Sequence, residues 1–453
     1  MAVFSTIQKS QLEGAKRLDA EYYQPEYLEV RKFLTSSTVL IDVSKKITDF
    51  GAYSQMNFVE YTDSGVRFLR NQDVGEFFLQ DDDPVFVPEQ TYEKLSLKLE
   101  EYDIVTPRVG TLGNAAVVFR DQLPASANQN LAQIKPDLQK INPLYLATFL
   151  SSRFGQAQFD WLATGNVQPW LNLLQINSIK VFVPSFDVQN NIAQFATRAL
   201  DVYKESKSLY TQAENLLLEK LGLGDFKADE DLYSIVNFSD IKSVNRMDAE
   251  YFQPKYKKII SVSRKHDGKA LGELVTVKKG FEPGAGAYED EGKLFIRVSS
   301  VSKHELLEKD QKYINKKLYD ELKKEYEPKK GEILLTKDAS PGVAYVLDRP
   351  VEGIISSGIL RLKLKEEINP DYLALCINSV VGQMQVERDA GGSVIAHWKP
   401  EQVKSLIVPI LPKATQEKIA GLVRESHAAR KKAKELLEEA KRKVEELIES
   451  KAR

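Results

Sequence analysis

The side chains best suited to a chemical role are hydrogen-bonding groups in loops between predicted strands. Arginine and lysine can donate to guanine, and asparagine and glutamine can pair with adenine. The first half of the chain offers Arg70, Asn71, Gln72, Arg108, Thr111, Asn114, Asn166, Gln168 and Trp170. The second half offers Lys278, Lys279, Arg297, Ser299, Lys337, Ser340, Ser393, His397 and Trp398. An ordinary polar loop residue or a phosphate contact explains each residue taken alone, so the prediction rests on the loops as sets.

No catalytic motif stands beside these loops. The tetrapeptides N-P-L-Y at 142–145 and N-P-D-Y at 369–372 resemble the N-P-P-[YF] motif of amino-methyltransferases, but the third residue differs in both. Each tetrapeptide also opens a predicted helix, with proline at the first turn. The sequence contains no G-x-x-x-x-G-K-[ST] phosphate loop, and its four histidines show no metal-ligand spacing with Cys376. We therefore expect no catalytic residues and no metal site.

The elements that position the loops occur twice. Residues 17–27 read RLDAEYYQPEY and residues 246–256 read RMDAEYFQPKY, an offset of 246 − 17 = 229 residues. The segments 102–118 and 331–347 also align, as do INPLYLATFLSSRFGQ with INPDYLALCINSVVGQ and the loop LATGNVQPWL with DAGGSVIAHW. A repeat of domain size indicates a tandem duplication and not a solenoid. We expect the tyrosines of the opening motif to pack its helix onto a long helix in each half.

Within the first copy the pattern predicts short mixed elements. Strands are predicted over 39–50, 66–74, 84–88 and 103–109, and a helix over 142–154. The predicted fold class is therefore α+β, with two repeated globular modules.

A long helix follows each copy. Residues 188–221 contain neither glycine nor proline, and apolar or small residues recur there at heptad spacing. The predicted seam comprises Ile192, Phe195, Ala199, Val202, Ser206, Leu209, Ala213 and Leu216, with Ile419, Leu422, Ser426, Ala429, Ala433, Leu436, Ala440 and Lys443 in the second helix. These helices are expected to pair. The predicted division is 1–187 for the first module, 188–222 for the first long helix, 223–414 for the second module and 415–453 for the second long helix.

Composition sets broad limits. The 453 residues are 42% hydrophobic and 28% charged, with a net charge of −2, so global charge does not indicate a nucleic-acid-binding protein. No apolar stretch is long enough to span a membrane, and the N-terminus shows no signal pattern, so we expect a cytoplasmic protein. Cys376 lies in an apolar run and is read as a small buried hydrophobe rather than a reactive thiol.

Two half-length repeats, each opening on R-x-D-A-E-Y-[YF]-x-P-x-Y and closing on a long heptad helix, resemble the specificity subunit of Type I restriction–modification enzymes. The resemblance implies target-recognition modules that each read one half of a bipartite site in double-stranded DNA. It also implies antiparallel coiled-coil helices that set the spacing and dock two methyltransferase subunits. S-adenosylmethionine and ATP are then expected on partner subunits and no cofactor on this chain, while a restriction or translocase partner is left open. A helix of about 50 Å corresponds to roughly one and a half turns of B-DNA.

Two other functions remain open at this point. A coiled-coil scaffold with two protein-binding modules would form complexes that are insensitive to salt, whereas DNA affinity falls steeply with salt. A self-contained methyltransferase or nuclease would need cofactor or metal motifs, which the sequence does not show.

Overall fold

The computed structural model describes residues 4–10, 12, 17–51, 59–81, 83–165, 167–227, 233–244, 246–307, 311–391 and 396–451. The chain forms two compact units. Unit 1 extends to Tyr203 and includes the residues from Lys431 on, and unit 2 is Lys204–Arg430. Each unit therefore contains one module and a segment of each long helix. The predicted domains instead treat each long helix as a separate segment and place the limits at its ends. These limits stay a prediction.

The first copy contains nine described strands and ends on a long helix. The strands are β1 (Thr38–Val39), β2 (Ser44–Asp49), β3 (Val66–Leu69), β4 (Phe86–Val87), β5 (Ile104–Pro107), β6 (Ala116–Val117), β7 (Ala125–Ala127), β8 (Leu131–Pro136) and β9 (Lys180–Val181). The α-helices are α1 (Pro25–Phe33), α2 (Glu89–Lys94), α3 (Pro143–Ser151), α4 (Arg153–Leu162), α5 (Leu173–Asn177) and the long helix α6 (Phe186–Leu221).

The main sheet of unit 1 is covered on both faces. Its strand order is β2-β8-β5-β6, with antiparallel pairing throughout. Successive side chains of a strand point to opposite faces. Ile104 accordingly lies in a core cluster with α3 and α4, and Val105 lies in a second cluster with β3. Strand β3 belongs to a smaller sheet of order β4-β3-β7, in which β3 and β7 are parallel.

The second copy repeats this plan. Its strands are β10 (Lys269–Ala270), β11 (Val275–Lys279), β12 (Lys293–Ile296), β13 (Lys312–Ile314), β14 (Ile333–Thr336), β15 (Asp338–Ala339), β16 (Ala344–Val346), β17 (Gly353–Ile355), β18 (Ile359–Leu364), β19 (Ala396–His397) and β20 (Ile407–Val408). Its α-helices are α7 (Phe238–Val244), α8 (Pro254–Lys265), α9 (Leu271–Leu274), α10 (Lys316–Tyr326), α11 (Pro370–Asn378), α12 (Val380–Asp389), α13 (Pro400–Ser405) and the long helix α14 (Lys413–Lys451).

The sheets of unit 2 have the orders β11-β18-β14-β16, β13-β12-β17 and β10-β20, which match those of unit 1, and the short pair β15-β19 is additional. The predicted α+β class and the repeated modules are confirmed. The tetrapeptides that begin N-P open helices as predicted, because Asn142 caps α3 by accepting from Leu144 N (2.9 Å) and Tyr145 N (3.2 Å). Asn369 caps α11 in the same way.

The long helices pack in each unit, but the predicted seam is only half correct. Every first position of the heptad on α6, from Ile192 to Ala213, is buried. The other four predicted positions are half-buried: Phe195, Val202, Leu209 and Leu216. In each case the next residue along the chain is buried, as Tyr203 is after Val202. The buried stripe is displaced because a module also packs on this flank: the ring of Phe78 stacks on Tyr203 with centroids 4.3 Å apart. The coiled coil itself stays a prediction.

The tyrosines of the opening motif contact a helix of their own module, and their packing onto a long helix stays a prediction. The ring of Tyr27 lies 5.7 Å from that of Trp161 on α4, and the guanidinium of Arg31 lies 3.9 Å from the ring of Tyr22. In the second copy α8 likewise packs on α12. The motif therefore packs against α4, the helix that precedes the loop at 163–170.

Cys376 is 1% exposed within the core of unit 2, as expected of a small buried hydrophobe. Burial raises the pKa of its thiol to about 12, so the reactive thiolate is disfavoured. Among the helices in the described ranges, none is long and apolar enough to cross a membrane.

Candidate nucleic-acid interface

Three of the predicted loops of unit 1 meet. The side chain of Asn71, after β3, donates to the carbonyl of Val109, after β5, at 2.8 Å. The backbone N–H of Leu171 donates to the carbonyl of Arg108 at 2.8 Å, and Trp170 pairs with Val109 in a backbone bridge. Segments separated by more than 60 residues in sequence thus form one surface.

The two arginines of this surface are held by carboxylates. Arg70 Nη2 lies 3.0 Å from Asp73 Oδ1 and 3.3 Å from Asp83 Oδ2, and Arg108 Nη1 pairs with Asp49 Oδ2. The hydrogen bond to Asp73 raises the pKa of the Arg70 guanidinium above its ordinary value. The arginine side chains are 18% and 19% exposed. They therefore fix the loops, and only part of each guanidinium faces solvent.

The remaining candidates of unit 1 divide by exposure. Gln72, Thr111, Gln168 and Trp170 are exposed, and Gln72 donates to Asp83 Oδ2 at 3.3 Å. Asn114 is half-buried and donates to the carbonyl of Val74 at 2.7 Å. Asn166 lies outside the described residues. The exposed candidates are therefore three hydrogen-bonding side chains and one aromatic side chain, Trp170, which is 42% exposed.

In unit 2 the matching loops also meet. Strand β15 pairs with β19, and His397 Nδ1 lies 2.8 Å from Asp338 Oδ1. Lys337 Nζ contacts the other carboxylate oxygen at 2.5 Å. Although burial opposes ionisation, the hydrogen bonds from His397 and Lys337 hold the pKa of Asp338 below its usual value. The ring of His397 is 60% exposed, so its other nitrogen can meet a ligand from solvent.

Trp398 does not belong to this surface. Its side chain is 0% exposed and lies in the core cluster of unit 2. In the aligned loops Trp398 corresponds to Leu171, which is also 0% exposed, while His397 corresponds to Trp170. The alignment with an apolar residue was the signal that sequence reasoning missed.

The other candidates of unit 2 are spread over several elements. Lys278 Nζ pairs with Glu325 Oε1 at 2.9 Å and lies 5.2 Å from the ring of Tyr326, so α10 holds its ammonium. Lys279, Ser299 and Ser340 are exposed, and Arg297 is half-buried. Ser393 lies outside the described residues. The loops after β12 and β14 approach one another at Gly358, where a Cβ atom would lie 2.7 Å from Val298 and 3.6 Å from Asp338.

One pair of residues escaped the sequence analysis. Tyr61 and Tyr288 occupy the same position of the repeat, since 288 − 61 = 227, and they are 49% and 43% exposed. Each ring packs against a buried phenylalanine, Phe68 at 5.9 Å and Phe295 at 5.6 Å. Burial raises the pKa of Tyr61, and the nearby charge of Arg70 opposes that shift, which places this ring beside the loop surface. The recurrence of tyrosine at one offset was the available signal.

Residues 265–434 match the family model described as the Type I restriction modification DNA specificity domain. The match covers most of the second module and the first part of α14, and the internal repeat relates the first module to this specificity domain. No curated protein sequence matches the chain.

The chain is also similar to solved structures of Type I restriction–modification proteins. It is 12% identical to the S subunit of a Type I restriction–modification system from M. genitalium, with a TM-score of 0.38 and coverage of 91% of this chain and 94% of that chain. It is 13% identical to the HsdS subunit from Thermoanaerobacter tengcongensis, with a TM-score of 0.28 and coverage of 92% and 95%. Because both TM-scores are below 0.5, we base no argument on these similarities.

Proposed function

We propose that each module reads one half of a bipartite site in double-stranded DNA. The observation that carries this proposal is that both modules bring together the same loops on the same framework but fill them differently. Trp170 in the first module stands where the second has His397, and Arg108 stands where the second has Lys337. A shared framework with different hydrogen-bonding groups at its strand ends is what two separate base sequences would require.

The long helices have a separate role in this proposal. They set the distance between the two half-sites and dock two methyltransferase subunits, and their lengths of 36 and 39 residues support the spacing role. The chain contributes recognition without chemistry of its own, in the cytoplasm. In this proposal the partner subunits, and not this chain, bind S-adenosylmethionine and ATP.

Methylation mapping tests the proposal directly. The chain is expressed together with the methyltransferase encoded beside it, and the host genome is sequenced for modified adenines. The expected result is a split motif of two short defined halves around a fixed gap. An assembled complex that produces no new modification would refute the DNA-reading function.

The spacing role has its own test. Four residues, about one helical turn, are inserted into both 188–221 and 415–448. The tolerated gap should lengthen while both half-sites stay the same. A changed half-site with an unchanged gap would contradict the role of the helices.

A protein-binding scaffold is the second candidate. It is favoured by the net charge of −2 and by the carboxylates that hold Arg70 and Arg108. Salt distinguishes the two, because counterion release makes DNA affinity fall steeply between about 50 and 200 mM salt. Complexes that form without DNA and resist salt would favour the scaffold.

A further inference from the structure

The arginine of the repeated opening motif is fixed by the aspartate two residues later. Arg17 Nε donates to Asp19 Oδ1 at 2.8 Å, and Arg17 Nη2 donates to Asp19 Oδ2 at 2.5 Å. A bidentate pair sets the plane of the guanidinium as well as its position. The R-x-D spacing therefore presents the remaining N–H groups in one direction.

That direction is the C-terminal end of α4. Arg17 Nη1 donates to the carbonyls of Trp161 (3.3 Å) and Leu162 (3.4 Å), and Nη2 donates to that of Ala163 (3.3 Å). The last carbonyls of a helix lack partners within the helix and carry a partial negative charge, so a cation there is favourable. Ala163 is the first residue after α4, where the loop to α5 begins.

A second donor closes the other side of this loop. Gln175 on α5 donates from Nε2 to the carbonyl of Leu162 at 2.6 Å. Between these two contacts, Thr164 and Trp170 exchange reciprocal backbone hydrogen bonds of 3.0 and 2.8 Å. We call this backbone pair the neck of the loop. Within the loop, Val167 is fully exposed. The conformation of the loop therefore depends on its base.

Unit 2 repeats the arrangement with different loop residues. Arg246 forms the same bidentate pair with Asp248 and donates to the carbonyl of Arg388 at 3.4 Å. Gln402 Nε2 donates to the carbonyl of Asp389 at 2.7 Å. The neck recurs too, since Gly391 and His397 exchange backbone hydrogen bonds of 3.2 and 2.8 Å.

We infer that the R-x-D pair of each opening motif is a positioning device for the loop that follows α4 or α12 of its own module. Arg17 and Arg246 are positioning residues, and they contact neither base nor phosphate. This inference rests on the proposed function for its effect on DNA, but not for its effect on the loop. It explains why the motif is retained in both copies while the loops differ.

The test uses Arg17→Lys and Arg246→Lys in the full chain. A lysine keeps the charge, but a single ammonium cannot hold a bidentate carboxylate and also reach the helix carbonyls. Leu18→Ala is the matched control, because Leu18 is adjacent to Arg17 and 86% exposed. Hydrogen–deuterium exchange is measured at the neck amides of both loops without DNA, and methylation mapping follows for each variant.

Arg17→Lys should raise exchange at Thr164 and Trp170 about tenfold, leave Gly391 and His397 unchanged, and broaden the bases accepted in one half-site. Arg246→Lys should do the reverse. Unchanged exchange at the variant's own neck, or a uniform rise across the whole unit, would overturn the positioning role. A selective change at the neck, in a chain whose wild type directs no bipartite methylation, would support the positioning role and refute the DNA-reading function.

Discussion

The same short hairpin packs against the long helices in both units, with opposite chemistry. We call residues 73–80 and 300–307 the docking hairpins. Their backbones match, since Gly75 N donates to the carbonyl of Phe78 at 3.1 Å and Ser302 N donates to that of Glu305 at 3.0 Å. The bridge between Val74 and Leu79 likewise has its counterpart at 301 and 306.

In unit 1 the hairpin makes an apolar contact and one charged contact. Phe78 stacks on Tyr203 with a ring angle of 6°. Lys441 Nζ lies 2.6 Å from Glu76 Oε1 and 2.5 Å from Glu438. Burial of the ammonium lowers the pKa of Lys441, but the carboxylates outweigh this and raise it overall.

In unit 2 the corresponding positions, offset by 227, exchange their charges. Lys303 stands where unit 1 has Glu76, and Glu214 stands where it has Lys441. Burial raises the pKa of Glu214, and the facing charge of Lys303 opposes that shift. The stacked rings are replaced by Glu305 and Arg430, 3.8 Å apart.

The difference shows which property the duplication has retained. Each contact is complementary within its own unit, although almost no side chain is shared between the two. The hairpin geometry and the pairing of opposite charges persist while residue identity changes in pairs. An isolated change at one partner should therefore cost more than a change at both.

The largest effect is expected from Lys441→Glu. The side chain is 15% exposed, and the change would place a third carboxylate beside Glu76 and Glu438. The new carboxylate would occupy a mostly buried position without a partner, but Glu76 and Glu438 are 48% and 54% exposed and screened by solvent, so we expect a loss of about 3.5 kcal/mol of unfolding free energy. Urea unfolding followed by tryptophan fluorescence measures the loss. Adding Glu76→Lys, which copies the charge order of unit 2, should recover more than half of it, and failure to recover would mean that the pair is not complementary.

Phe78→Ala should cost about 3 kcal/mol, because a buried aromatic ring and its stacking partner are lost. Glu305→Ala at the matching position should change stability by less than about 1 kcal/mol, since the carboxylate is 37% exposed and its ion pair is long. Parallel urea titrations of the two variants give the comparison. Equal costs would show that the two hairpins do not differ in how they dock.

A pH dependence should come from unit 2. Burial lowers the pKa of His427 to about 4, and its ring lies among Tyr210, His304 and Tyr345. The unfolded chain binds the proton first as pH falls, so this stability is complete above about pH 6.5 and declines toward pH 4. The loss between pH 7 and pH 5 should be about 2 kcal/mol. His427→Leu, which copies Leu200 of unit 1, should remove this component, and an identical pH profile for both proteins would contradict the assignment.

The smallest effect concerns the helix pair of unit 2. Ser426 Oγ donates to the carbonyl of Ser206 at 2.7 Å, and the two hydroxyl oxygens lie 3.3 Å apart. Ser426→Ala should cost about 1 kcal/mol, because the Ser206 hydroxyl loses its buried partner. The double variant with Ser206→Ala copies Ala199 and Ala433 of unit 1, and its cost should be below that of the single variant. A larger cost for the double variant would show that the hydroxyls act independently.

The sequence predicted features that are local or repeated. The helix starts at 142–145 and 369–372, the repeated modules and the α+β class follow from short patterns and from the duplication. The partners of the loop arginines did not follow, since Asp49 lies 59 residues before Arg108. The buried stripe of α6 was misplaced because heptad spacing carries no information about a module that packs on one flank.

The main sheet of unit 1 is packed on both faces, and this affects which substitutions the fold can tolerate. With Ile104 in one core cluster and Val105 in the other, substitutions within the strands disturb one packed layer or the other. Exposed loop residues, such as Thr111 after β5 and Gln168 after α4, belong to neither layer. Substitutions in these loops should accordingly cost little folding free energy, so the framework can stay intact while the exposed loop residues change.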